Sequence, residues 1–205
     1  MFTLFFPVRQ VIRENRSWFV MAASIFIACF IILYYTAGKA QPLTEQAIES
    51  QFEQMVALFS IILGASPLIS TLLIFMNNFI SMVQMLMLGV AAGISPLITL
   101  GVNGALVGAM IAFSVQEGIP FLTILGFGIL PHGIFELFAF FISAGIGLKF
   151  GYHCIASPLP GKTRMQSYRY IWKEAISILP LIVLLLILAA FIEVFITAKL
   201  LGLVL

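Results

Sequence analysis

The chain contains no aspartate, and charged residues of every other kind are scarce. Charged residues make up 9% of its 205 residues, whereas hydrophobic residues make up 62%. A soluble domain carries about 25% charged residues. From Met55 to Gln116 there is no glutamate, lysine, arginine or histidine. A water-soluble fold is therefore excluded, and the composition predicts an all-α, polytopic membrane helix bundle.

Residues that carry out covalent or metal chemistry are also few. The chain has two cysteines and two histidines. Cys29 lies in an apolar run and Cys154 in a polar segment, so we expect no disulfide between them. A Ser-His-Asp triad is impossible without aspartate, and the His-Glu-x-x-His sequence of zinc proteases is absent. We therefore expect no enzymatic activity, no cofactor and no bound metal.

Five apolar windows are long enough to cross a bilayer, whose hydrocarbon core of about 30 Å takes about 20 helical residues. The windows are Ser17–Ala37, Pro67–Gly89, Pro96–Ala112, a stretch within Phe121–Leu148, and Ala175–Ala198. We therefore predict one integral membrane domain, residues 1–205, with about five transmembrane helices.

The distribution of basic residues predicts the orientation of these helices. Eight of the ten lie before the first span or between the last two: Arg9, Arg13, Arg16, Lys149, Lys162, Arg164, Arg169 and Lys173. Short loops rich in lysine and arginine stay in the cytoplasm. We therefore place residues 1–16 and the loop 149–174 in the cytoplasm, the C-terminus outside, and the protein in the cytoplasmic (inner) membrane.

The segment 38–66 carries a different pattern, with glutamates at positions 45, 49 and 53. A spacing of four places them on one face of a helix. We predict that this segment is an amphipathic helix at the outer surface.

Three prolines follow glycine in similar sequences and predict helix starts or breaks. Gly64-Ala-Ser-Pro67 and Gly93-Ile-Ser-Pro96 place serine before proline, which is typical of a helix N-terminus. Gly128-Ile-Leu-Pro131 is a weaker form. We expect broken or re-entrant elements near all three prolines, with the fourth span divided at Pro131.

Small residues recur at the spacing that lets membrane helices pack closely. The pairs are Gly89 and Gly93, Gly104 and Gly108, and Gly147 and Gly151. This pattern predicts either a homo-oligomer or close packing within one chain.

Polar groups within the apolar spans define a candidate site. His132 and Glu136 are four residues apart and share one helical face. Asn77, Asn78 and Asn103 are candidate partners. The cluster predicts a structural network, or a polar pathway or binding site for an ion, proton or small solute. Metal binding would need a third ligand, and Glu193 is expected simply to reach the membrane interface.

An ordered set of motifs resembles the stage II sporulation protein M family. It comprises Phe75-Met-Asn-Asn78, Gly89-x-x-x-Gly93-x-x-Pro96, Asn103-Gly104 and Pro131-His-Gly133-x-x-Glu136-Leu, and the resemblance runs from about Arg13 to Leu200. The resemblance implies a polytopic membrane protein; in endospore formers, a member acts with cell-wall-processing partners during engulfment of the forespore. Phe138 stands where many members have proline.

Two functions follow as expectations. The resemblance implies a non-enzymatic membrane component that acts with other membrane or envelope proteins in envelope or membrane remodelling. The intramembrane polar residues instead predict a transporter, channel or lipid-moving protein. The bilayer is the expected surrounding in both cases. We expect no nucleic-acid binding, because the few basic residues lie close to the membrane.

Overall fold

The computed structural model describes residues 5–37, residue 50 and residues 64–200, and nearly all of these residues are helical. The helices are α1 (Val8–Thr36), α2 (Pro67–Leu88), α3 (Ile94–Gln116), α4 (Leu130–Ile155) and α5 (Arg164–Ile192). A short turn, Phe121–Thr123, and a π-helical segment, Ile124–Ile129, precede α4. A second π-helical segment, Glu193–Thr197, follows α5.

Five helical stretches in the described residues are long and apolar enough to cross a membrane, as predicted. The fourth runs continuously from Phe121 to Ile155 and the fifth from Arg164 to Leu200. Many large apolar side chains on the outside of the bundle are exposed, among them Ile27, Leu72 and Ile98. Such a surface is stable against lipid and not against water. The fold is therefore an all-α membrane bundle.

The second half of α4 forms the centre of the bundle. From Ala139 to Gly151 nearly every residue of this helix is buried. Helices α1, α2, α3 and α5 all pack against α4. A helix that is apolar on all sides belongs in the middle of its bundle.

Glycines allow α1 and α3 to come into backbone contact. A Cβ atom on Gly104 or Gly108 would meet the backbone carbonyl of Phe26 or Phe30 in α1. At the junction of α2 and α3, a Cβ on Gly89 would likewise lie 2.6 Å from the Cα of Gly147 in α4. The small-residue pairs therefore serve packing within one chain, the second of the two alternatives.

The prolines act at helix boundaries in different ways. Pro67 is the first residue of α2 and follows Ser66 at the N-cap, as predicted. Helix α3 begins at Ile94, two residues before Pro96, because Gly93 with φ 70° forms the N-cap in place of Ser95. Pro131 does not separate two helices. The interruption there is the π-helical segment that ends at Ile129.

The connection between α4 and α5 is shorter than the predicted loop 149–174. Helix α4 continues to Ile155, and α5 begins at Arg164. Thr163 caps α5 by accepting a hydrogen bond from the backbone of Gln166, whose side chain accepts one from the backbone of Thr163. The predicted outer helix with glutamates 45, 49 and 53 lies outside the described residues.

Candidate functional site

A π-helical segment positions His132 and Glu136 on α4. Pro131 has no N–H to donate, and its ring crowds the carbonyl four residues earlier. The turn before it is widened into the π-helix Ile124–Ile129, which contains Gly126 and Gly128. Such π-helical turns recur at functional sites. His132 and Glu136 then follow on one face of α4, and both are half-buried.

The other side of the site comes from the end of the last span. Glu193 and Thr197 are the first and last residues of the second π-helical segment. Thr197 is buried and Glu193 is half-buried. The Nδ1 atom of His132 lies 3.2 Å from the Oγ1 atom of Thr197. This hydrogen bond links α4 directly to the last helix.

Three groups that can bind a cation therefore converge. One ligand atom from each of His132, Glu136 and Glu193 lies within 4.8 Å of the other two. No hydrogen bond joins these three side chains to one another, and the one ion pair of the described residues lies elsewhere. Two carboxylates thus face an imidazole in an apolar bundle, and no lysine or arginine of the described residues forms an ion pair with them. We call His132, Glu136 and Glu193 the outer triad, after the orientation that the basic residues predict.

The predicted asparagine partners do not join this site. Asn77 is exposed and donates weakly to the Oδ1 atom of its neighbour Asn78, at 3.4 Å. Asn103 is exposed and donates to the backbone carbonyl of Thr99 at 2.8 Å. Within the described residues, none of the three asparagines is hydrogen-bonded to His132 or Glu136. The structural network, one of the alternatives that the sequence left open, therefore does not form through these asparagines.

A second polar cluster lies near the opposite end of α4. Lys149 donates to Oε2 of Glu174 at 2.7 Å and to Oδ1 of Asn15 at 2.8 Å. Asn15 donates to Oε1 of Glu174 at 2.8 Å, which closes the ring of three side chains. All three are buried, and they join α4, α5 and α1. Lys149 and Glu174 therefore lie in helices and not in the predicted loop, whereas the cytoplasmic placement of this end of the bundle stays a prediction.

A groove of about 210 Å³ lies at this same end of the bundle. We call it the basic end, because the basic residues at the start of α1 and of α5 lie there. Phe150, Cys154, Arg164, Met165 and Tyr168 contribute to its walls. The guanidinium of Arg164 donates to the carbonyl of Cys154 at 3.0 Å and so closes the end of α4. Met165 leaves 60% of its surface exposed.

Sequence reasoning missed Glu193 and Thr197 as members of the site. Both lie close to the end of the last span, where a polar residue ordinarily reaches the interface. Their spacing of four residues was the available signal, because it matches that of His132 and Glu136. A helix that crosses beside α4 could present both side chains to that pair.

Five apolar helices packed on a common core, with a polar centre held between two of them, define a polytopic integral membrane protein. The chain matches the family described as Stage II sporulation protein M over residues 19–198, and it belongs to that family. The resemblance noted from the sequence motifs is thereby confirmed.

An uncharacterized protein of the archaeon Methanocaldococcus jannaschii is similar to this chain. The two are 36% identical over 125 residues, which cover 60% of this chain and 68% of the relative. No solved structure matches the chain.

Proposed function

We propose that this protein transports a small cationic cargo and binds it at the outer triad during passage. The observation that carries the proposal is the convergence of His132, Glu136 and Glu193 from two helices to within 4.8 Å. Ionisable residues inside membrane bundles are costly and mark substrate or ion pathways.

The local backbone supports this function. Each side of the outer triad is built on or beside a π-helical segment, Ile124–Ile129 or Glu193–Thr197. Non-α-helical backbone at membrane depth is typical of binding sites in transporters. A π-helical turn leaves carbonyl groups outside the regular i to i−4 ladder, and these can contact a passing cation.

Electrophysiology on proteoliposomes tests the proposal. Concentration jumps of H⁺, Na⁺, K⁺, Mg²⁺, Mn²⁺ and Zn²⁺ are applied to vesicles with and without the protein. We expect a protein-dependent current with at least one of these cations. Glu136→Gln and Glu193→Gln should abolish that current, because each removes one negative charge from the site while keeping the side-chain volume.

Glu117→Gln is the matched control. Glu117 is exposed at the turn after α3 and is not one of the three ligands of the outer triad. The Glu117→Gln substitution removes the same charge and should leave the current unchanged. Absence of a current with all six cations, or an unchanged current in both triad variants, would contradict the transport proposal.

A non-enzymatic role beside membrane or envelope proteins is the second candidate, and the groove at the basic end favours it. Met165 and Tyr168 leave apolar surface exposed there, at the predicted membrane surface. Aromatic and methionine side chains are frequent at protein interfaces. Cross-linking in native membranes that depends on Met165, and is lost in Met165→Glu, would support this role in place of transport.

A further inference from the structure

We infer that the outer triad is a binding site for a divalent transition-metal cation such as Zn²⁺ or Mn²⁺. The inference deepens the proposed function. The metal site stands by itself, whereas the role of this ion as the transported cargo rests on the proposed function. The sequence alone offered two ligands, His132 and Glu136, and lacked a third. The structure supplies the third ligand in Glu193.

Charge balance is the first argument for a divalent ion. Two carboxylates that share an apolar site repel each other, and no lysine or arginine of the described residues pairs with them. An uncompensated buried charge is strongly unfavourable. One divalent cation neutralises both carboxylates together and leaves the imidazole neutral, which is the form that binds metals.

The size of the site gives the second argument. Zinc binds nitrogen and oxygen ligands at about 2.0–2.2 Å, so neighbouring ligand atoms around it are about 3–4 Å apart. The atoms of the outer triad lie within 4.8 Å of one another. Small side-chain rotations bring them to ligand distance. No hydrogen bond joins these three side chains to one another, so their ligand atoms are available to a metal ion.

Thr197 prepares His132 for this role. If Nδ1–H donates to Oγ1 of Thr197, at 3.2 Å, then Nε2 keeps its lone pair for the metal. Histidines that bind metals commonly have the second ring nitrogen held in this way. Thr197 is itself buried, so water does not compete strongly for the hydrogen bond.

The mixture of ligand types selects the class of ion. One imidazole nitrogen and two carboxylates suit Zn²⁺, Mn²⁺ and related ions, whereas Mg²⁺ and Ca²⁺ prefer oxygen ligands throughout. Three protein ligands leave at least one coordination position open. An incomplete ligand set binds less tightly than a closed structural site, as the release of a cargo ion requires.

Calorimetric titration of the purified full-length protein in detergent tests the inference. We expect one Zn²⁺ or Mn²⁺ per chain, and much weaker binding of Mg²⁺ and Ca²⁺. Glu193→Gln should eliminate measurable binding. Thr197→Val should weaken it by about 10–100-fold, because the ring of His132 loses its orienting partner. The thermal unfolding temperature of each variant verifies that it is folded.

Two controls separate the outer triad from other possible ligands. His153→Ala removes the other imidazole of the chain, and Glu117→Gln removes an exposed carboxylate. Neither should change the affinity. Binding that is absent in the parent, or that survives in Glu193→Gln, would overturn the inference.

The binding and current measurements test the two proposals separately, because each can give a negative result without the other. Metal binding without any current would retain the metal site and contradict transport. A current carried by H⁺ or Na⁺ and lost in Glu136→Gln, together with no binding of Zn²⁺ or Mn²⁺, would retain transport and overturn the metal site.

Discussion

Lys149 and the outer triad show two ways in which this bundle accommodates charge. Lys149 and Glu174 are both buried, and each is hydrogen-bonded to the other and to Asn15. Every charged atom of that cluster has a partner, so the cluster is complete without a ligand. The carboxylates of Glu136 and Glu193 have no comparable partner among the described residues. A structural cluster therefore differs from a candidate binding site in whether its buried charged groups have protein partners, and not in burial alone.

The buried ion pair gives a prediction about stability. Lys149→Met should destabilise the protein by about 3–5 kcal/mol, because Glu174 is left buried without its cation. Adding Glu174→Gln should recover more than half of this loss, since the new amide can pair with both polar atoms of Asn15. Unfolding in detergent at increasing denaturant concentration measures both variants.

Lys173→Met provides the control for that measurement. Lys173 directly precedes Glu174 in α5 but is exposed, and its replacement should change the free energy of unfolding by less than about 0.5 kcal/mol. If Lys149→Met is as stable as this control, the cluster does not hold the three helices together.

Local spacing revealed half of the candidate site and could not reveal the rest. His132 and Glu136 lie in one helix, so their common face follows from the spacing alone. The approach of Glu193 depends on how the last helix packs against α4, and no local pattern specifies that. The apolar run before Lys149 predicts a loop at that point, and its partners Asn15 and Glu174 are distant in sequence.

At the scale of the element, span positions were largely predictable and helix ends were not. Pro67 begins α2 as expected, since proline is favoured in the first turn. The start of α3 depends instead on Ala92 and Gly93, which both adopt positive φ. The π-helical turn before Pro131 reflects the hydrogen bond that proline cannot make. Apolar periodicity is insensitive to such backbone detail.

Contact between α1 and α3 should be sensitive to a single methyl group. Gly104→Ala should destabilise the protein by about 1–3 kcal/mol, because the added Cβ would meet the backbone of Phe26. Gly101→Ala, in the same helix, is the matched control. Its Cβ would lie 3.8 Å from Sγ of Cys29, an ordinary contact.

Thermal unfolding of both alanine variants in the same detergent makes the comparison. Gly101→Ala should be neutral or more stable by up to about 1 kcal/mol, since alanine favours helix over glycine. Equal effects at the two positions would mean that helix propensity, and not backbone contact with α1, determines the role of Gly104.

At the scale of the whole molecule, the structure changes which basic residues contribute to the predicted orientation, and the orientation itself stays a prediction. Lys149 is neutralised by Glu174 inside the bundle and no longer counts as a loop charge. The remaining basic residues of α1 and α5 still gather at one end, because the two helices begin side by side. Phe6 donates from its backbone to Ser177 at 2.8 Å, and Tyr170 donates to Glu14 at 2.9 Å.

This arrangement predicts which end of the bundle faces the cytoplasm. Ser157→Cys and Glu117→Cys place a thiol at an exposed position on opposite ends, in a background where Cys29 and Cys154 are replaced by serine. The positive-inside rule places Ser157 in the cytoplasm and Glu117 outside. A membrane-impermeant maleimide added to intact spheroplasts should therefore label the Glu117→Cys protein and spare the Ser157→Cys protein. Both should be labelled once the membrane is permeabilised. The reverse pattern would place the outer triad on the cytoplasmic half of the membrane, so that a cargo ion would enter the bundle from inside the cell.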